Sequence, residues 1–296
     1  MSRQEPCATW EPRTMTKGNP LPRLLLAVAF LLVMFGASAE AQQLASKVIR
    51  VKGANTMANP VDQLASAFMK DKPDISVAVS GGGTQIGFRS LLDGSAEIAM
   101  ASAKFTSEQE RAAAEKGMEL VSRVVGSEGV VVAAHKDNRV NELTVEDLRK
   151  IFTGDFPVWS NVGGPENLVM VYVPEMLTSG ASQFLGEQVL AGAPYSLAAN
   201  TRHNFRNLTC FISYLEEAIG LHPFLHGMDA QQKARVKILA VKKDQGSPAV
   251  APSTQTIKDR SYPLTRPLYM CHDGKSGRPE IKQFVDFCAE KGFVVL

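Results

Sequence analysis

Three short stretches carry residue types that could hold an anion without a broad basic surface. Each joins small residues to hydroxyl or amide side chains: Gly53–Thr56, Gly83-Thr84, and Thr178–Ser182, with Ser102 adding a further hydroxyl. Glycine lets a ligand approach the backbone, and the first N–H groups of a helix are unpaired at the positive end of its dipole. The set predicts a small-anion site. For any one stretch taken alone, helix capping is the alternative.

Alternating strand and helix patterns place these stretches at strand ends. Val77 and Val79 alternate with smaller residues before the three glycines, and Thr84 is predicted to cap the helix that follows. Repeated strand–helix units of this length predict an α/β fold whose mostly parallel sheets are covered by helices. In such sheets the carboxyl ends of the strands meet in one crevice, where ligands bind. The predicted ligand-binding residues are Ala54, Asn55, Thr56, Gly83, Thr84, Ser102, Thr178, Ser179 and Gly180.

Residues 1–41 read as a cleaved secretory signal peptide. Four basic residues precede an apolar run from Leu24 to Phe35, and small residues around Ala39 follow it. The run is shorter than the roughly 20 residues that a membrane-spanning helix needs. Met15 is an alternative start. The leader predicts a periplasmic protein, the alternative being an uncleaved membrane anchor.

The rest of the chain is nearly neutral, which excludes several function classes. Without the leader, 28 Lys and Arg face 27 Asp and Glu, so we expect no nucleic-acid partner. We find no Gly-x-Ser-x-Gly or His-Glu-x-x-His motif, and the five histidines are scattered. We therefore predict no catalytic residue, no metal site and no cofactor. A mature length of about 255 residues suits two lobes.

Three cysteines remain after the leader, and an exported protein can oxidise them. Cys288 shares a predicted helical face with Phe284 and Val285, and Cys271 ends the strand before that helix. We predict a Cys271–Cys288 disulfide and a buried Cys210 thiol. Three free cysteines are the alternative.

Several motifs from about Val48 onward resemble the periplasmic phosphate-binding proteins of phosphate-specific ABC importers. Gly53–Met57 resembles that family's Gly-Ser-Thr loop, and Ser80–Gly87 its Gly-Gly-Gly-Ser-x-x-Gly turn. Further matches are Ala96–Ser102, the Ile-Phe-x-Gly and Trp pattern within Leu143–Trp159, Ala218–Gly220 and Tyr262–Tyr269.

This resemblance implies a type 2 periplasmic-binding fold, in which two lobes enclose a ligand cleft. We expect lobe 1 to contain residues 45–130 and 262–296 and lobe 2 residues 131–261. The implied function is the capture of a small oxyanion, with phosphate the first candidate, for the membrane permease of an ABC importer. We expect a monomer that is not an enzyme. The alternatives are a degenerate sensor or interaction module without phosphate transport, and a phosphoesterase.

The departures from the family pattern fall on its anion clamp. Glu175 stands where that family has an arginine, and Ala181 replaces a threonine. These changes predict weaker phosphate binding than in relatives, or a preference for another small oxyanion. Arg202 and Arg206 lie in a cation-rich segment and are candidate substitutes for the missing charge, the alternative being a solvated loop.

Overall fold

The computed structural model describes residues 48–174, 180–202, 205–222 and 230–296, so the predicted leader lies outside the described residues. Within these ranges the chain forms twelve strands, nine α-helices and one 3-10 helix (Trp159–Val162). The strands are β1 (Val48–Gly53), β2 (Ser76–Ser80), β3 (Ile98–Ala101), β4 (Leu120–Gly129), β5 (Val131–His135), β6 (Glu142–Thr144), β7 (Met170–Pro174), β8 (Asn200–Arg202), β9 (Ala218–His222), β10 (Val236–Lys242), β11 (Thr265–Asp273) and β12 (Val294–Val295). The helices are α1 (Asn55–Asp71), α2 (Thr84–Leu92), α3 (Ser107–Glu115), α4 (Val145–Thr153), α5 (Gly180–Gln188), α6 (Phe205–Tyr214), α7 (Ala230–Arg235), α8 (Thr254–Lys258) and α9 (Pro279–Lys291).

The strands form two six-stranded sheets, and the predicted α/β class is confirmed. The first sheet has the order β12-β4-β11-β3-β1-β2, and the second has the order β6-β10-β5-β9-β7-β8. In each sheet three of the five strand pairs are parallel. The first sheet therefore takes its strands from residues 48–129 and 265–295, and the second from residues 131–242.

Burial explains why the central strands are continuously apolar. All four residues of β3 are buried, and so are all five of β5, as expected of strands whose two faces are both covered. Helix α4 shows the complementary pattern, with Leu148, Ile151 and Phe152 on one buried face.

The chain crosses between the sheets at two adjacent points. Only Val130 separates β4 from β5, and its N–H donates to the Leu264 carbonyl at 2.9 Å on the returning segment. The Tyr262 hydroxyl donates to the Val130 carbonyl at 2.9 Å. These bonds hold the two crossing segments side by side.

The predicted Cys271–Cys288 disulfide is wrong, because the two thiols lie on opposite faces of the first sheet. Successive residues of a strand alternate between faces. Tyr269 and Cys271 therefore pack on one side of β11, whereas Met270 packs on the other side with Cys288 of α9. Both cysteines are free and buried, and the Ser122 hydroxyl donates to Cys271 Sγ at 3.2 Å. Cys210, predicted to be buried, is a half-buried free thiol.

None of the described helices is long and apolar enough to cross a membrane.

Burial predicts that both thiols are inert in the folded protein. Burial raises the pKa of Cys271 and of Cys288 to about 12, and only the thiolate reacts with iodoacetamide. At pH 8 we expect alkylation of both residues only after denaturation, which peptide mass spectrometry without reductant can follow. A cross-linked peptide containing both cysteines would contradict the structure.

Candidate functional site

Three turns of the first sheet meet because their strands are parallel neighbours. β1 lies between β2 and β3, with Lys52 opposite Ser80 and Gly53 opposite Met100. Their carboxyl ends therefore reach the same edge of the sheet. This edge gathers the predicted residues from Ala54 to Thr56, Gly83-Thr84 and Ser102.

Hydrogen bonds fix these turns to one another. The Ala54 N–H donates to the Met100 carbonyl at 2.9 Å, and the Gly83 N–H donates to the Gly53 carbonyl at 2.8 Å. The exposed Asn55 side chain accepts a bond from the Gly82 N–H at 2.7 Å. The loops are thus held together by two backbone hydrogen bonds and one bond to the Asn55 side chain.

Thr84 and Ser102 form a buried hydroxyl pair between α2 and the end of β3. Their Oγ atoms lie 3.1 Å apart, and the Ser102 N–H donates to Thr84 Oγ1 at 3.2 Å. The two residues are 2% and 6% exposed. One hydroxyl proton suffices for the bond between the two oxygens, so the pair retains a second proton that it can donate to a ligand.

The two helices that begin at this edge lack side-chain caps. Ala54 precedes α1 and Gly83 precedes α2, and neither makes a capping hydrogen bond. Helices α3, α4 and α8, by contrast, begin with complete capping boxes at Thr106, Thr144 and Ser253. The first N–H groups of α1 and α2 therefore remain available to a ligand.

The predicted N-cap role of Thr84 is wrong. Gly83 occupies the cap with φ of 98°, a conformation that side-chain-bearing residues rarely adopt, and Thr84 is the first helical residue. The threonine hydroxyl is directed to Ser102 instead of to its own helix.

Glycine at the β1–α1 turn is a steric requirement. Gly53 has φ of 148°, and a Cβ atom there would lie 2.0 Å from the Met100 carbonyl oxygen. On α2, a Cβ atom at Gly87 would lie 2.7 Å from the Lys52 carbonyl oxygen. These contacts let the start of α2 pack directly against the end of β1.

The sequence reasoning missed a buried ion pair beside this edge. Glu128 of β4 and Arg266 of β11 face each other in register and are 0% and 2% exposed. Arg266 Nε donates to Glu128 Oε2 at 2.7 Å, and Nη2 contacts the same oxygen. Burial raises the pKa of Glu128, while Arg266 and the Thr56 hydroxyl act in the opposite direction. The two residues lie 138 positions apart, so the sequence carried no local signal for the pair.

The second-sheet part of the predicted site is described only in its backbone. Thr178 and Ser179 lie outside the described residues, as does Glu175, and Gly180 begins α5. Arg202 ends β8 opposite Pro174 of β7, and Arg206 lies in α6. The side chains of both arginines lie outside what the structure describes. The contribution of this sheet to the site stays a prediction.

One group in the described residues has the composition of a metal site, and it lies apart from the predicted residues. Ligand atoms of His135, Asp137 and Glu216 lie within 4.8 Å of one another. Lys136 Nζ already donates to both Asp137 carboxylate oxygens at 2.9 Å, and His135 Nδ1 accepts from the Asp137 N–H at 3.3 Å. Internal partners thus already occupy the Asp137 carboxylate and His135 Nδ1.

The amino-acid sequence matches one family model and several named relatives. The profile of the PBP superfamily domain matches residues 37–291. "Phosphate-binding protein PstS" of Staphylococcus saprophyticus is 29% identical over 242 residues, covering 81% of this chain and 74% of that protein. The protein of the same name from Staphylococcus haemolyticus is 28% identical over 244 residues, covering 81% and 75%.

Solved structures share the fold. An ABC-type phosphate transport receptor from Vibrio cholerae superposes with a TM-score of 0.64 at 23% identity, covering 81% of this chain and 93% of the other. PstS from Borrelia burgdorferi superposes with a TM-score of 0.58 at 19% identity, covering 81% and 92%.

The turn geometry predicts that Gly53→Ala destabilises the protein. The new methyl group would overlap the Met100 carbonyl, and the positive φ adds backbone strain, so we expect a loss of about 2 kcal/mol or more. Urea denaturation measures the change. Gly277→Ala is the control, since a Cβ atom there meets nothing within 4 Å. Equal midpoints for the two variants would show that the turn is not tightly packed.

Proposed function

Because this chain belongs to the PBP superfamily, we propose that it captures a small oxyanion, with phosphate the first candidate, for the permease of an ABC importer. The observation that carries the proposal is the pair of uncapped helix N-termini at one sheet edge, beside the Thr84–Ser102 hydroxyls. Both helices have at least the nine residues of α2, so each has a full set of aligned peptide dipoles.

The chemistry of this edge suits an anion. The first turns of α1 and α2 offer N–H donors, and Gly82 and Gly83 present no side chain that would keep a ligand from the backbone. The spare hydroxyl proton of the Thr84–Ser102 pair adds a neutral donor. A tetrahedral oxyanion has several acceptor oxygens and can use donors that arrive from different directions.

The matched relatives support phosphate as the ligand. The curated relatives carry the name of phosphate-binding proteins, and the Vibrio cholerae structure is described as a phosphate transport receptor. A binding role without catalysis agrees with these names. We propose a periplasmic location on the basis of the predicted leader, and an ABC-importer permease as the partner on the basis of the family. We also propose that the protein is a monomer.

We propose that the two lobes close over the anion. The lobe boundaries follow the predicted division at residues 130 and 262, next to the two crossing segments. Because the chain crosses twice at adjacent points, bending there moves each lobe as a nearly rigid body. The crossing segments lie beside Glu128 and Arg266, at the carboxyl edge of the first sheet.

Calorimetric titration with phosphate, sulfate and acetate at fixed salt tests the function. We expect phosphate to bind more tightly than sulfate or acetate. Thr84→Val should weaken phosphate binding about tenfold, since it removes a buried hydroxyl from the site. Thr153→Val, on the last turn of α4, is the matched control and should bind as the wild type does.

Failure of the wild-type protein to bind any of the three anions would overturn this proposal. It would favour the degenerate sensor, the alternative suggested by Glu175 and Ala181 in the clamp. Release of phosphate from a phosphoester by the purified protein would instead favour the enzyme.

A further inference from the structure

The Glu128–Arg266 pair lies where the chain crosses between the sheets. Glu128 is the second-last residue of β4, and Arg266 is the second residue of β11. The last strand, β12, pairs with β4 on its other side, with Val295 opposite Glu128. Among the described residues, Arg266 is the one Lys or Arg in the buried class, with 2% exposure. A buried cation at a crossing point requires a reason, because desolvation of a charge is costly.

The pairing of these two residues is incomplete. Both contacts use Glu128 Oε2, from Arg266 Nε and Nη2. Arg266 Nη1 and Glu128 Oε1 are buried without a hydrogen-bond partner. Buried polar atoms are nearly always partnered, and an unmade bond to a charged group is especially unfavourable. The guanidinium therefore has a donor to spare.

Thr56 connects this pair to the anion-binding edge. It is the second residue of α1, so it lies in the uncapped first turn. Its Oγ1 atom is also buried without a hydrogen-bond partner. β11 runs antiparallel to β3 with Tyr269 opposite Ala101, so Arg266 lies past the carboxyl end of β3, at the sheet edge where α1 begins. The unpartnered atoms of the pair and of Thr56 therefore lie at the same edge of the first sheet, where α1 begins.

We infer that Arg266 is the cationic residue of the anion site, with Glu128 as its positioning partner; this inference rests on the proposed function. Nη1 and Thr56 Oγ1 donate to the bound anion, while Nε and Nη2 stay on Glu128. Both donors are covered in this conformation. They lie beside the crossing segments that a lobe movement bends, and the movement that admits the anion uncovers them.

Charge balance supports this assignment. A divalent oxyanion loses much solvation on burial, and helix N-termini return only a fraction of a charge each. Arg266 is fixed by two contacts to a carboxylate, which leaves one side of its planar fork for a second acceptor. A lysine would offer only a point charge in the same place.

The test is the double variant Glu128→Gln/Arg266→Gln, titrated calorimetrically with inorganic phosphate. Removing both charges leaves no lone buried ion, so we expect the fold to persist, as checked by circular dichroism and thermal unfolding. Phosphate binding should weaken about 10- to 100-fold, the range for loss of a charge-assisted hydrogen bond. A folded double variant that binds phosphate within about threefold of the wild type would overturn the inference.

A matched control is available on the same sheet. Arg50 and Glu97 form an ion pair at 2.6 Å, with side chains 51% and 14% exposed, away from the site. Arg50→Gln/Glu97→Gln should leave phosphate binding unchanged. If the wild type and both double variants bind phosphate equally, this inference fails while the proposed function stands. If the wild type binds no anion, the proposed function itself fails.

Single substitutions at Arg266 and Thr56 provide the test if the double variant does not fold. Arg266→Lys keeps the charge but loses the forked geometry, and we expect at least about tenfold weaker phosphate binding. Thr56→Val should weaken binding by a similar factor, whereas Thr56→Ser, which retains the hydroxyl, should not. Wild-type affinity in folded Arg266→Lys and Thr56→Val would overturn the inference.

Discussion

Backbone N–H groups at the start of a helix must find partners, and this constraint organises the first sheet. Three of the described helices, α3, α4 and α8, meet it locally with a capping box. After β1 and β2 the helix starts have no side-chain cap, because Ala54 and Gly83 occupy the cap positions and make no capping hydrogen bond. The parallel strands bring both uncapped helix starts to one edge of the sheet. Gly82 and Gly83 present no side chain that would keep a ligand from the backbone there. We propose that an anion accepts hydrogen bonds from the N–H groups of both helix starts.

Neutral donors alone would leave the charge of a bound oxyanion unbalanced, and the cation that we infer for the site lies where the chain crosses between the sheets. The sequence lacks an arginine where the resembling family has one, with Glu175 in its place. The structure places a different arginine, Arg266, in a buried position beside Glu128, at the carboxyl edge of the first sheet. Because the pair lies where the chain crosses between the two sheets, the proposed anion binding and the proposed lobe movement would act on the same few residues. Under this proposal, anion binding is coupled to closure of the lobes.

Much of the fold could be predicted from local patterns, and the errors show what such patterns lack. The apolar alternation of β2 and the glycines after it identified a strand–turn–helix unit correctly. The role of Thr84 was wrong because Gly83 adopts a positive φ and moves the helix start by one residue. The disulfide was wrong because alternation along β11 sends Cys271 to the face opposite Cys288. The Glu128–Arg266 pair joins residues 138 positions apart, so no local pattern could reveal it.

The central claim, that the open starts of α1 and α2 hold the anion, is tested most directly by amide NMR during titration with phosphate. Hydrogen bonding to an anion shifts the resonances of the N–H groups that donate. We expect the largest shifts at Asn55, Thr56, Thr84 and Gln85, with little change in the first turn of α3, where Thr106 already caps the helix. Phosphate-dependent shifts that spare α1 and α2 and fall elsewhere in the chain would contradict the account.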